Sequence, residues 1–187
     1  MILCEQKPMD GIAVLKLDMS VECIETYNFD SLKNYGIEEV FVQENQSMSK
    51  KNVLRGMHFQ QKFDQAQIVR VLKGKVYDVV VDIREDSSTF GKYYGIYLSE
   101  DSGKMIYMSK GFAHGFLTLS DEVVMHYKCS EFYHPEDESG IRFDDSAVNI
   151  KWPIDDISKI EISSKDRNYL TLAEYINKKH KKDSVNS

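Results

Sequence analysis

The run Asn52-Val53-Leu54-Arg55-Gly56-Met57-His58-Phe59-Gln60 sets a histidine and an arginine together in an apolar, strand-like stretch. An imidazole in that setting is a candidate general base, because it titrates near neutral pH and a neighbouring carboxylate can hold its tautomer. Arg55 adds a fixed cation to the same segment. A second histidine, His114, lies between glycines and aromatics in Lys110-Gly111-Phe112-Ala113-His114-Gly115-Phe116. The pair suggests two histidines facing one pocket. Each also has a plainer reading as a satisfied core imidazole, the glycines beside His114 marking close strand packing. Tyr127, in Met125-His126-Tyr127-Lys128-Cys129, is set by strand alternation on one face of its segment. It is either a core phenol or an acid that delivers a proton opposite the base. Neither His58 nor His114 belongs to a His-x-His pair and no glutamate follows at a metal-binding offset, so no metal is expected. His126 and His134 read as surface or turn residues.

These side chains need a rigid frame, and the pattern between about Ile37 and Tyr127 supplies one. Ile68 to Leu72, then Lys73-Gly74-Lys75, then Val76 to Asp82, has the rhythm of a hairpin. Further strands are expected at Tyr93 to Leu98, Lys104 to Met108, Phe116 to Thr118 and Val123 to Cys129, separated by Gly, Ser or Asp clusters. Many short strands at regular spacing indicate an all-β sandwich or barrel. Asn28 to Tyr35 and Ser164 to Lys182 read as helices, the second ending in lysines suited to the helix dipole. The lysine-rich end, followed by Asp-Ser-Val-Asn-Ser, reads as a solvated, frayed terminus.

The 187 residues are 42% hydrophobic, enough for one domain with a substantial core. A net charge of -6 and a pI near 5.4 argue against a nucleic-acid binder, which needs a basic face, and none appears before the C-terminal tail. Cys4, Cys23 and Cys129 lack CxxC spacing, which suits a reducing cytoplasm better than a disulfide framework or a zinc knuckle. No apolar run approaches the roughly 18 residues of a membrane span, and no signal-peptide pattern opens the chain. A cytoplasmic protein without membrane or nucleic-acid partners is expected.

Several motifs occur in a particular order: Asn-Val-Leu-Arg-Gly-Met-His-Phe-Gln, Val-Tyr-Asp-Val-Val-Val-Asp-Ile-Arg with Ser-Ser-Thr-Phe-Gly after it, Gly-Phe-Ala-His-Gly-Phe, Tyr-Lys-Cys, Gly-Ile-Arg-Phe-Asp-Asp and Lys-Trp-Pro. From about Glu25 to Asp166 the chain resembles the dTDP-4-dehydrorhamnose 3,5-epimerase family. The resemblance implies a cupin-type jelly-roll β-barrel with extra N-terminal strands and short C-terminal helices. It divides the single domain into N-terminal strands and a short helix over 1–50, a jelly-roll core over 51–153 and a C-terminal helical segment with its tail over 154–187. It implies catalysis without metal or organic cofactor, in a homodimer whose N-terminal strands are exchanged.

By the same resemblance His58 is the base that removes the acidic proton beside a C4 ketone. Asp166 is its carboxylate partner, a match that requires a two-residue insertion after Trp152-Pro153. Tyr127 is the acid that reprotonates the opposite face, and His114 with Asp78 completes the polar lining of the sugar pocket. Arg55, Gln43, Asn45 and Lys165 match diphosphate and nucleotide contacts, and Tyr133 and Glu138 match contacts to the base. The types suit the task, because a weakly acidic C–H needs a base, an electrostatically held enolate and an acid on the far side.

The chain departs from the family at two positions. Gln67, in Gln65-Ala66-Gln67, stands where the family has a lysine near the enolate, and a neutral amide forgoes about 1 kcal/mol of charge-assisted bonding. Asp18-Met19-Ser20-Val21 replaces the family's Asp-x-Arg-Gly, so Ser20 stands in place of an arginine that reaches a neighbour's nucleotide site, with Lys16 or Lys50 as candidate replacements. The expected function is therefore 3,5-epimerisation of a nucleotide-linked 4-keto-6-deoxy sugar for a surface polysaccharide. The alternatives are a single-carbon epimerase or ketoisomerase on a related sugar, and a catalytically inactive sugar-nucleotide binder.

Overall fold

Strands of alternating burial assemble into two antiparallel sheets, seen in a computed structural model that describes residues 1–154 and 156–184. The first sheet runs, in spatial order, β1 (Ile2–Met9), β2 (Ile12–Leu17), β8 (Lys104–Met108), β5 (Gln67–Lys73), β10 (Glu122–Cys129) and β3 (Gln43–Lys50). The second runs β11 (Glu138–Gly140), β4 (Val53–Gln60), β9 (Phe112–Thr118), β6 (Lys75–Asp82) and β7 (Tyr93–Ser99), with β12 (Glu161–Ile162) parallel to the start of β4. This is the all-β architecture the strand rhythm indicates, arranged as the jelly roll that the resemblance implies, with short helices at its margins.

The sheets face each other across Val14, Val69, Val71, Ile106 and Met125 on one side and Val76, Val80, Leu98 and Phe116 on the other. Their outer faces are apolar too. Leu32 of α1 (Phe29–Lys33) covers Leu15, Ile68 and Met105, and Leu172 of α3 (Leu172–Asp183) covers Met57, Val79 and Val81. Strands covered on both faces read as continuous apolar runs, which is why Val76 to Val81 shows little alternation. Each such side chain withdrawn from water contributes about 2 kcal/mol.

Three local expectations are corrected. The stretch around Lys73-Gly74-Lys75 does turn, but its strands do not form a hairpin: β5 pairs with β8 and β10, while β6 pairs with β7 and β9 in the other sheet. The turn signal is local, whereas the destination of each strand is decided by which sheet buries its apolar faces. The C-terminal helix is broken into α2 (Ser164–Arg167) and α3, because Leu170 leaves the helical path to bridge Ile141. The basic end is helical through Asp183 and is tied down where Lys179 and His180 contact Glu85 at 2.6 and 2.5 Å. The last three residues of the expected frayed tail, 185–187, lie outside the described residues.

The Asp-Ile-Arg and Ser-Ser-Thr motifs form a clamp at the exit of β6. Buried Asp82 accepts from Arg84 Nη2 at 2.7 Å and from the Ser87 and Thr89 hydroxyls at 2.6 Å each. Burial alone would raise this carboxyl, but those donors hold it down to about 2. The motif therefore fixes the connection between β6 and β7.

Candidate active site

Strict alternation would place Arg55 and His58 on opposite faces of β4, since three positions separate them. The β4 to β9 register shifts between them, so both side chains line one cavity between the sheets, about 360 Å³ in volume. Gly56 makes the shift possible. Its φ is +119°, and a Cβ there would meet Gly115 Cα at 2.5 Å and the His114 carbonyl oxygen at 2.7 Å. The close approach sets His58 directly opposite His114 in the ladder.

The carboxylate for His58 arrives through β12, whose parallel pairing with Val53 and Leu54 carries α2 alongside β4. Ser163 caps α2 by accepting from the Asp166 amide at 3.0 Å. Asp166, 3% exposed, then lies 2.8 Å from His58 Nε2 through Oδ1 and accepts from the Gly56 amide at 3.2 Å through Oδ2. Burial pushes this carboxyl up, but the His58 hydrogen bond and charge and the Gly56 and Ser163 contacts hold it below the usual carboxylate value. With Nε2 donating to an ionised Asp166, His58 keeps Nδ1 free to accept a proton.

Across the cavity, β10 places Tyr127 on the first sheet, between Asn45 of β3 and Val69 of β5 in the ladder. Burial, then the neighbouring Cys129, and further off Glu138, raise this phenol against the lowering influence of Arg55, so it stays protonated at neutral pH. A base and a proton donor thus enter one cavity from facing sheets. His114 completes the polar floor, its Nε2 lying 3.0 and 2.9 Å from the two oxygens of fully buried Asp78.

The other residues expected from the resemblance also reach this cavity. Gln43 donates to Asn45 at 3.0 Å and accepts from the Tyr133 amide at 2.9 Å, and Arg55 donates to Ser49 at 3.3 Å. At the rim Glu138 accepts from Lys165 at 2.6 Å and from the Tyr133 hydroxyl at 2.5 Å. That bond first, with burial and charge adding, pushes the Tyr133 phenol up to about 12. Gln67 lines the wall at the start of β5, with Met108, Phe112, Phe116 and Met125 as an apolar base. Of the two candidate replacements for the absent arginine, Lys16 donates to the Ser102 carbonyl and Lys50 ends β3 on its exposed face. Among the described residues no cluster of His, Cys, Asp and Glu could hold a metal ion.

Tyr169 was not anticipated. Its ring meets His58 edge-on, with centroids 5.8 Å apart at 75°, and its hydroxyl lies 3.5 Å from Glu138 Oε1. It occupies the break between α2 and α3, which the pattern of the sequence passes over as one helix. Cys129 was also missed as a lining residue, and burial, partly opposed by Asn45, pushes its thiol up to about 11, so it is inert at neutral pH.

Known proteins resemble the chain in both sequence and fold. A family model described as dTDP-4-dehydrorhamnose 3,5-epimerase matches residues 16–174. The chain is 42% identical over 170 residues to the dTDP-4-dehydrorhamnose 3,5-epimerase of Methanothermobacter thermautotrophicus, covering 89% of this chain and 92% of that protein. Among solved structures, the dTDP-4-dehydrorhamnose 3,5-epimerase of Elizabethkingia anophelis superposes with a TM-score of 0.88 at 37% identity, covering 92% of this chain and 97% of that one. A Legionella pneumophila dTDP-6-deoxy-D-glucose-3,5-epimerase, solved with dTDP-4-keto-L-rhamnose, gives 0.87 at 35% identity and covers 92% and 94%.

Proposed function

The chain belongs to the dTDP-4-dehydrorhamnose 3,5-epimerase family, a family of carbohydrate isomerases, and we propose that it converts dTDP-4-dehydro-6-deoxy-D-glucose to dTDP-4-dehydro-L-rhamnose through an enolate. The observation that carries the mechanism is the His58–Asp166 pair on one sheet facing Tyr127 on the other. Asp166 holds His58 in the tautomer whose Nδ1 accepts the proton from the carbon beside the C4 ketone. Electrons flow toward the ketone oxygen, and the polar floor of His114 and Gln67 supplies the surrounding dipoles. Tyr127 returns a proton to the opposite face, inverting the carbon. No redox change occurs, so the steps balance without an added cofactor.

The same reading gives the rim its task. Arg55, Gln43, Asn45 and Lys165 hold the diphosphate and nucleotide, and Tyr133 and Glu138 contact the base. Edge strands β1 and β3 and the exposed Met48, Val40 and Val42 suit a homodimer with exchanged N-terminal strands. Among the described residues no helix is long and apolar enough to cross a membrane. We place the enzyme in the cytoplasm, feeding surface polysaccharide synthesis.

Proton NMR of dTDP-4-keto-6-deoxyglucose with the protein in deuterated water tests the function. Loss of both the C3 and C5 proton signals is expected, and loss of neither overturns the reading. Gln67 favours a second reading, a single-carbon epimerase, for which only one signal disappears. Gln67→Lys adds the charge-assisted bond an amide lacks, about 1 kcal/mol, and should raise turnover of this substrate about fivefold. If the variant gains nothing in a steady-state assay, the natural substrate is a different 4-keto sugar.

A further inference from the structure

Glu138 stands near the His58 imidazole as well as at the rim. Its Oε1, which accepts from Lys165 at 2.6 Å, lies 3.9 Å from His58 Nε2, on the side of the ring already facing Asp166. Tyr133 ties down the other oxygen at 2.5 Å, and Tyr169, packed on the His58 ring, approaches Oε1 as well. β11 locks the carboxylate in place, because Gly140 pairs directly with His58 and Glu138 with Gln60. The Glu138 side chain is 13% exposed, whereas its Lys165 partner is 55% exposed at the mouth of the cavity. The Lys165 ammonium is therefore open to an incoming anion, whereas Glu138 is not.

We propose that Glu138 is a positioning residue whose charge strengthens His58 as a base, and that Lys165 masks this charge until the substrate diphosphate draws the lysine away. The proposal rests on His58 being the base. While the Lys165–Glu138 pair holds, the ammonium neutralises Oε1. When the ammonium turns to the diphosphate, an uncompensated carboxylate is left under 4 Å from the imidazole, favouring the imidazolium that proton abstraction forms. Deprotonating power then rises only when a substrate is present.

Two other groups around His58 keep their partners, Asp166 from α2 the Gly56 amide and His114 from β9 the Asp78 carboxylate. Arg55 on the same strand, bonded at 3.3 Å to Ser49, also turns to the diphosphate, but its charge is common to the wild type and to both variants tested below. Tyr127 from β10 and Tyr169 stay protonated, because burial raises both phenols. Burial likewise pushes the Glu138 carboxyl up, but Lys165, Tyr133 and His58 hold it below its ordinary value, so it is ionised at neutral pH.

The test is a pH titration of the His58 ring by NMR in the full-length protein, its signals assigned by their loss in His58→Asn. Glu138→Gln should lower the His58 midpoint and Lys165→Gln should raise it, because the first removes a negative and the second a positive charge from its surroundings. Adding dTDP should raise the midpoint more in the wild type than in Glu138→Gln. A midpoint that stays put in either variant, or equal dTDP responses, overturns the proposal. Should Glu138→Gln fail to fold, the direction of the Lys165→Gln shift decides alone. The acidic limb of the kcat profile should follow the NMR midpoint, a correlation that a purely structural Glu138 would not produce. Because the titration needs no turnover, its failure is distinct from failure of His58 as base, which appears instead as catalysis surviving in His58→Asn.

Discussion

His58→Asn should stop deuterium entering the substrate carbons and lower kcat by about 10³-fold, while dTDP affinity changes less than about threefold. The asymmetry follows from geometry. His58 Nε2 is committed to Asp166 at 2.8 Å, so only Nδ1 is left to do chemistry. Arg55 and Lys165, the cations proposed to anchor the diphosphate, line other positions of the same cavity. Asparagine preserves approximate volume and polarity beside Tyr169 but has no lone pair basic enough to take a carbon-bound proton. Asp166→Asn should retain the ring and lose the charge that stabilises the imidazolium, costing about 10²-fold in kcat with little change in KM. Deuterium wash-in by NMR and dTDP binding by calorimetry check both variants. Exchange at the wild-type rate in His58→Asn would remove it as base and shift attention to His114, its cross-strand neighbour.

The Asp166 contribution has a pH sign as well. Its folded value is depressed, so the stability it adds is present above the unfolded carboxylate value and is lost as pH falls through the folded one. The same sign holds for Asp82, whose window lies between its ordinary value of 3.8 and about 2. Acid should therefore loosen the α2 contact to β4 and the clamp after β6 together.

The strands were legible because their periodicity is local. Lys104 to Met108 is read at its observed boundaries, and Val123 to Cys129 to within one residue, since Gly and Asp turn signals flank short apolar runs. Pairing was not legible in the same way. Lys73-Gly74-Lys75 has hairpin chemistry, yet the strands it joins enter different sheets, a choice made by contacts far away in sequence. The site shows the same division. The types at His58, His114 and Tyr127 suggested proton transfer, but a bland core reading competed until ordered motifs were weighed together. Periodicity even separates Arg55 from His58, and only the Gly56 register shift reunites them. Asp166 lies 108 positions from its histidine and depends on a two-residue parallel strand that no local pattern announces. Tyr169 was invisible because its position is defined by a helix break that a bridge from Leu170 to Ile141 imposes.

Tyr127→Phe should separate the two halves of the reaction. The ring packs partly against the core of Val69 and Met125, and phenylalanine keeps that packing, so the fold should be retained. His58 remains on the other sheet, so deuterium should still enter at carbon, returned to the face from which the proton was taken. Inverted product requires a donor on the opposite wall, and its formation should fall by about 10²- to 10³-fold. The measurement is a single time course in deuterated water, comparing exchange with appearance of the inverted sugar; parallel loss of both would mean that Tyr127 aids binding instead of reprotonation. The wild type carries a second signature. Because burial lifts the Tyr127 phenol above its ordinary value of 10.0, turnover should not decline as pH approaches that value, as it would if an unperturbed tyrosine were the acid. A decline centred near an ordinary phenol value, absent from Tyr127→Phe exchange, would instead place the donor in contact with bulk water and contradict the enclosed position that β3 and β5 give it on either side.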